Sequence, residues 1–328
     1  MITRLSATLA MSALLVFGAN SPARAEPPAD PAAGAPTETT PETTPETTTE
    51  SATGAAAPSP QDAELESAAQ AAKKVTITGP KDVAVAGQGV IHLPGGYQYI
   101  PQPEAGKLSH AFGNPMSASL VGLIFPSSDA NWVANLHYVG DGYVKDDDAK
   151  SWNPDELLQS LRDGTEAANA DRTARGFEAI EVAGWVEKPF YDASAHRLVW
   201  SALGRPKGAT GNDGSVNYNT YALGREGHFE LNLISSPDTI EGNKVHARTL
   251  LGALAFDDGK RYQDFNASTD KVAAYGLAAL VGGVAAKKLG LLAVMFGFAA
   301  KFAKLIAVAA VAGLVGLKRL FGGRSGQA

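Results

Sequence analysis

The sequence predicts an α+β fold: a single exported mixed domain with antiparallel strands, followed by one or more C-terminal transmembrane helices. Three observations carry this expectation. Between residues 75 and 265, short apolar runs are punctuated by Gly and Pro, and a run of hairpin-linked strands lies between helices rather than alternating with them. The first 25 residues have the three parts of a secretory signal. From Lys271 onward the chain carries eight bases, no acid and mostly apolar residues, which suits a membrane with its positive end in the cytoplasm.

Met1–Arg4 is a short positive start, Leu5–Ala19 is apolar and uncharged, and Ala23-Arg24-Ala25 places small residues at both positions of a cleavage site. Cleavage after Ala25 is expected. The chain contains no cysteine, which excludes disulfides, thiolate catalysis, Cys-based zinc sites and lipoprotein modification. Residues 26–74 hold nine acids, two lysines and the run Pro-Glu-Thr-Thr-Pro-Glu-Thr-Thr-Thr-Glu at 41–50. That composition buries too little to offset ordering and reads as a disordered linker, with a short frayed helix over Asp62–Ala72.

The expected domain spans residues 75–265. Val83, Val85, Val90, Ile91 and Leu93 suggest strand material around Gly87-Gln88-Gly89, and Tyr97–Ile100 continues it past a Pro-Gly-Gly turn. A helix is expected over Pro103–Phe112, ended by Gly113-Asn114-Pro115. Leu120–Phe125 and Trp132–Val139 read as strands. Asn153, Pro154 and Glu156 mark a helix start, Trp152 and Leu157 have staple spacing, and Gly176 marks the end. Strands then follow over Phe177–Trp185, Arg197–Leu203, Ser215–Leu223 and His228–Ile234, the last two joined as a hairpin. Pro237, capped by Ser236, opens a closing helix that runs to about Leu251.

Residues 266–328 read as the membrane anchor. Val272–Leu291 is the expected first span, with Lys287 and Lys288 reaching the inner face. Ala278, Gly282 and Ala286 fall four apart, the spacing that lets helices approach closely. Phe298–Leu317 returns through the bilayer or lies at its surface.

Chemistry is sparse. No nucleophile elbow, P-loop, His-Glu-x-x-His or dinucleotide motif is present, and the six histidines are scattered. The densest polar cluster runs from Asp141 to Asp148. Tyr143, Lys145, Asp146, Asp147 and Asp148 are the candidate binding residues, since adjacent carboxylates can hold a hard cation or raise one another's pKa. The alternative is a solvated loop ahead of the helix at Asn153. A second idea is an aromatic recognition surface from Trp132, Trp152, Trp185, Trp200, Tyr97, Tyr143 and Tyr191. Residues 75–270 hold 25 acids against 16 bases, which argues against a nucleic-acid partner.

Several strings recur in order: Leu93-Pro94-Gly95-Gly96-Tyr97, Gly122–Pro126, Gly142–Ala149, Gly184-Trp185 with Pro189 and Tyr191-Asp192, Leu223-Gly224-Arg225 with Gly227, Tyr262–Asn266, Asp270–Ala273 and Tyr275-Gly276-Leu277. As a set, over about residues 75–300, they resemble the bacterial family of membrane-anchored proteins called domain of unknown function 2167. The resemblance implies an exported domain tethered to the membrane and no particular activity. The expectation is a binding or scaffolding module on the periplasmic side of the bacterial cytoplasmic membrane, without cofactor or metal. Its partners are membrane lipids and an integral membrane protein. The alternatives are a carboxylate-dependent envelope enzyme and an accessory subunit whose helices pair through Ala278 and Gly282.

Overall fold

The computed structural model describes residues 60–282, Arg175 excepted. The chain opens with α1 (Pro60–Val75), β1 (Ile77–Thr78), β2 (Lys81–Val85), β3 (Gly89–Leu93) and β4 (Tyr97–Pro101). Next come α2 (Glu104–Ala111), β5 (Leu120–Pro126), β6 (Trp132–Val139) and β7 (Tyr143–Lys145). A 3-10 turn (Asp147–Lys150) leads into α3 (Pro154–Ala174). Four successive strands follow: β8 (Ile180–Asp192), β9 (Arg197–Pro206), β10 (Ser215–Leu223) and β11 (His228–Ser235). The chain then forms α4 (Ile240–Gly252), β12 (Leu254–Phe256), a second 3-10 turn (Tyr262–Asp264) and β13 (Val272–Gly276).

Eight strands make one sheet in the order β1-β4-β5-β6-β11-β10-β9-β8, antiparallel at every pairing. A small antiparallel sheet, β12-β3-β2, and a parallel β7–β13 ribbon complete the strands described. The mixed α+β class with mostly antiparallel sheets follows from these pairings.

Strand side chains alternate between faces, so register sorts the core. One face of the large sheet presents Leu136, Phe229, Leu231, Leu233 and Tyr218 to Ile240, Ala247, Leu250 and Leu251 of α4. The other face is divided. At the β4–β5 end, Ile100, Leu120 and Leu123 pack with Ala68 and Ala72 of α1 and Ala105 and Leu108 of α2. At the β9–β10 end, Leu198, Trp200, Tyr221 and Leu223 pack with Leu157 and Leu161 of α3 and with Tyr275, Leu277, Leu280 and Val281.

The start of α3 follows its sequence signals. Asn153 Oδ1 accepts the Asp155 N–H at 2.9 Å, and its Nδ2 donates to Glu156 Oε1 at 3.3 Å. Trp152 and Leu157 join one apolar cluster. The helix runs through Gly164, and Gly176, at φ +82°, follows its end. Asn153→Ala, which orphans an end N–H, is expected to lower stability by about 1 kcal/mol, measured as a fall in the denaturant midpoint at constant m-value.

Several boundaries differ from expectation. The apolar stretch around Gly87 is two strands, and α4 begins at Ile240, because Ser236 O first accepts the N–H groups of Thr239 and Ile240 in a turn. The strand expected at Phe177–Trp185 runs instead from Ile180 to Asp192, with three register shifts against β9 that an alternation count cannot follow. The supposed linker ends early: α1 is ordered and buries Ala68 and Ala72.

The larger correction is at the C-terminus. The span expected from Val272 does not begin there, since Val272–Gly276 is a strand and Leu277, Leu280 and Val281 are buried in the domain. Ala273 and Tyr275 point inward and Val272 and Ala274 outward, a period-two pattern that mean hydropathy cannot separate from a lipid-facing run. Ala278, partly buried, packs against the domain's own apolar cluster, and Gly282 is buried. The folded body thus passes both expected boundaries, 75 and 265. Among the described residues no helix is long and apolar enough to cross a membrane. The signal at 1–25, the linker to residue 59, Ala286 and the apolar blocks at 289–300 and 305–317 lie outside the described residues.

Candidate functional site

The acidic run between β7 and α3 sends its residues to different places. Lys145 and Asp147 are exposed. Tyr143 joins a pile of four rings: His196 lies on Tyr262 (centroids 4.1 Å apart), Tyr262 on Tyr143 (4.3 Å) and Tyr143 on Phe265 (3.9 Å). At the edge of this pile the Tyr191 hydroxyl donates to Asp146 Oδ2 at 2.8 Å. His196 Nδ1 lies 3.3 Å from the Tyr191 hydroxyl and 4.0 Å from Asp146 Oδ2. His196 sits at φ +51°, a left-handed conformation that costs a non-glycine residue on the order of 1 kcal/mol. Burial, and then the Asp146 carboxylate it bonds, push the Tyr191 phenol well above its usual range. In this geometry the Tyr191 hydroxyl is a hydrogen-bond donor to Asp146.

Asp148 has a different task. Its Oδ1 accepts the Leu277 N–H and its Oδ2 the Ala278 N–H, both at 3.0 Å. These are the first amides of the turn and helix that follow β13, where the N–H groups lack partners within the helix and a carboxylate complements their dipole. Burial raises the Asp148 carboxyl and the two amides pull it back. Gly276 makes the approach possible, since a Cβ there would lie 2.5 Å from Asp148 Oδ2. The ribbon before it is equally close: Gly142, at φ +110°, leaves no room for a Cβ beside Lys271 O, which accepts the Tyr143 N–H at 2.8 Å. Arg225 holds Asp270 through two bonds of 2.6 and 2.8 Å, keeping that carboxyl well below its usual range. The acid run is expected to be a binding site or a solvated loop ahead of α3; Asp148 instead holds a helix 130 positions downstream.

These contacts gather Gly142–Ala149, Tyr191, Arg225, Tyr262–Asn266, Asp270 and Tyr275-Gly276-Leu277 at one end of the sheet. The three carboxylates do not converge, and among the described residues no group of three His, Asp or Glu is arranged to hold a metal. Trp132, Trp200 and Tyr97 are core rather than recognition surface, and Trp185 donates its indole N–H to Pro154 O.

A second polar group was missed. On the divided face of the sheet, between its two apolar clusters, register aligns Asn135, Asn232 and Asn219 in one row and His137, Glu230 and Tyr221 in the next. All six are buried. The Tyr221 hydroxyl donates to Glu230 Oε1 at 3.3 Å, Asn232 Nδ2 donates to Asn219 Oδ1, and His137 Nδ1 lies 3.0 Å from Ser119 Oγ. Burial pushes the Glu230 carboxyl up to about 7 and His137 down to about 4. The signal was there: Asn217, Asn219 and Tyr221 recur at period two, as do Asn135 and His137, and Glu230 and Asn232. A polar period inside a wholly buried strand looks like a solvent face until the register is known.

Residues 77–312, more than half of the chain, match the family described as Protein of unknown function (DUF2167). The chain belongs to this family. Membership assigns no activity. No curated protein matches the chain. Among solved structures it is similar to that of the cyanobacterial PsbP (CyanoP) from Synechocystis sp. PCC 6803, at 7% identity over 56% of this chain and 91% of that chain, with a TM-score of 0.35.

Proposed function

We propose that this DUF2167 protein is a binding or scaffolding module of the bacterial envelope. It is exported by residues 1–25 and held on the periplasmic side of the cytoplasmic membrane by the apolar, lysine-bearing chain beyond Gly282. The observation that carries this reading is the joint between body and tail: Asp148 grips the first amides of the C-terminal helix, and β13 is built into the domain. A tail that served only as a tether would need no such joint. The charge partition supports the same reading, with acids confined ahead of Lys271 and bases alone after it. The partners that fit are membrane lipids and an integral membrane protein.

The enzyme reading is weaker. Asp148 is occupied by amides, Asp146 by Tyr191, and Asp147 is exposed. The accessory-subunit reading is weakened by the burial of Gly282.

Fractionation of cells making the full chain tests the proposal. The protein is expected in the membrane fraction, resistant to alkaline wash and released by detergent, with a phosphatase inserted in residues 26–59 active only outside the cytoplasm. Full-length protein lacking residues 1–25 that stays in buffer and does not sediment with lipid vesicles overturns it.

A further inference from the structure

The polar centre of the divided sheet face borders the joint between body and tail, since Tyr221 shares an apolar cluster with Tyr275 and Leu277. We propose that it is a binding site for a small, uncharged, polyhydroxylated ligand of the sugar class. Four asparagines lie on this face, Asn135, Asn217, Asn219 and Asn232, each at most 4% exposed. Asn217 has no partner on either polar atom, and Asn135 Nδ2 and Asn232 Oδ1 are also unpaired. Buried amides left this way oppose folding, whereas apolar side chains of the same shape would not. The opposite face of the same strands is filled with Leu136, Leu231, Leu233 and Phe229, so strand position does not explain the amides.

Their chemistry selects the class. The unpaired set holds donors on Asn135 and Asn217 and acceptors on Asn217 and Asn232. A hydroxyl both donates and accepts, so adjacent hydroxyls can meet both kinds of group. The rows run on into the two apolar clusters, at Leu123 and Leu120 on β5 and at Trp200 and Leu198 on β9, so the polar groups are confined between apolar borders. No Lys or Arg lies in either row, so an anion would be buried without a counter-charge. The two titratable members, Glu230 and His137, are both biased by burial to their neutral forms. The inference does not depend on membrane attachment.

The test uses the full chain in detergent, titrated with glucose, with N-acetylglucosamine and with glucose 6-phosphate as the charged comparison. A neutral sugar is expected to raise Tm by about 4 °C at ten times its Kd, and glucose 6-phosphate to leave it unchanged. Asn217→Leu is expected to weaken sugar binding at least about tenfold while its own unliganded Tm matches or exceeds that of the parent. If that variant fails to fold, Asn217→Ser, smaller and still polar, takes its place. No shift with either neutral sugar, an equal shift with the phosphate, or a shift retained in the Asn217 variant overturns the proposal; a face filled by water alone gives the first of these.

Discussion

Asp148→Ala is expected to destabilise the protein by about 2–3 kcal/mol, because it leaves two partly buried amides, those of Leu277 and Ala278, without their acceptor. Hydrogen exchange is the sensitive readout. Residues 272–282 are expected to exchange ahead of the large sheet in the variant and together with it in the parent. Gly276→Ala attacks the same contact from the other side, since the new methyl would sit 2.5 Å from the carboxylate it must admit, and overpacking of this kind costs about 1–3 kcal/mol. The double variant is expected to lose less than the sum of the two, because each change removes the same grip. Additive losses, or unchanged exchange at Leu277 and Ala278 in Asp148→Ala, would show that the carboxylate does not hold the turn.

Glu230→Gln is expected to change how stability depends on pH. Burial favours the neutral carboxyl, raising it from 4.5 to about 7, so the folded protein holds this proton more tightly than the unfolded chain does. Stability from this group is therefore full below about pH 4.5, falls as the pH rises, and levels off above about pH 7, where native Glu230 is charged as well. Gln keeps an oxygen to accept the Tyr221 hydroxyl and carries no proton to lose. The variant is thus expected to match the parent near pH 4 and to exceed it by about 3 kcal/mol at pH 8. His137 acts in the opposite sense. Burial lowers it from 6.5 to about 4, so its contribution is lost as the pH falls through that range and remains in both proteins. Denaturant midpoints from pH 4 to 8 distinguish these cases; parallel profiles for parent and Glu230→Gln would mean that the carboxyl titrates normally in the fold.

Much of the architecture was readable. Asn153 and Pro154 announced α3, Trp132–Val139 and Ser215–Leu223 were read at their observed limits, and the β10–β11 hairpin was expected from its two strands. These signals are local, carried by capping, turn and alternation chemistry within a few residues. What escaped was non-local. The pairing of β13 with β7 joins residues about 130 positions apart, and nothing in Val272-Ala273-Ala274-Tyr275-Gly276 distinguishes a strand from the start of an apolar helix. The polar rows escaped for a related reason. His137 and Glu230 become neighbours only when β6 and β11 pair, although 93 residues separate them in the chain. Of the five residues proposed for the acidic site, Asp146 and Asp148 have specific carboxylate partners, but with different elements, so the run is two attachments rather than one pocket.

The grip of Asp148 has a mechanical consequence. The 3-10 turn that carries it also feeds α3, which lies against β8 at the far edge of the large sheet. Leu277 and Ala278 consequently have no swivel: any torque that reorients their turn is delivered to a helix bound to the sheet, and the whole body turns with it.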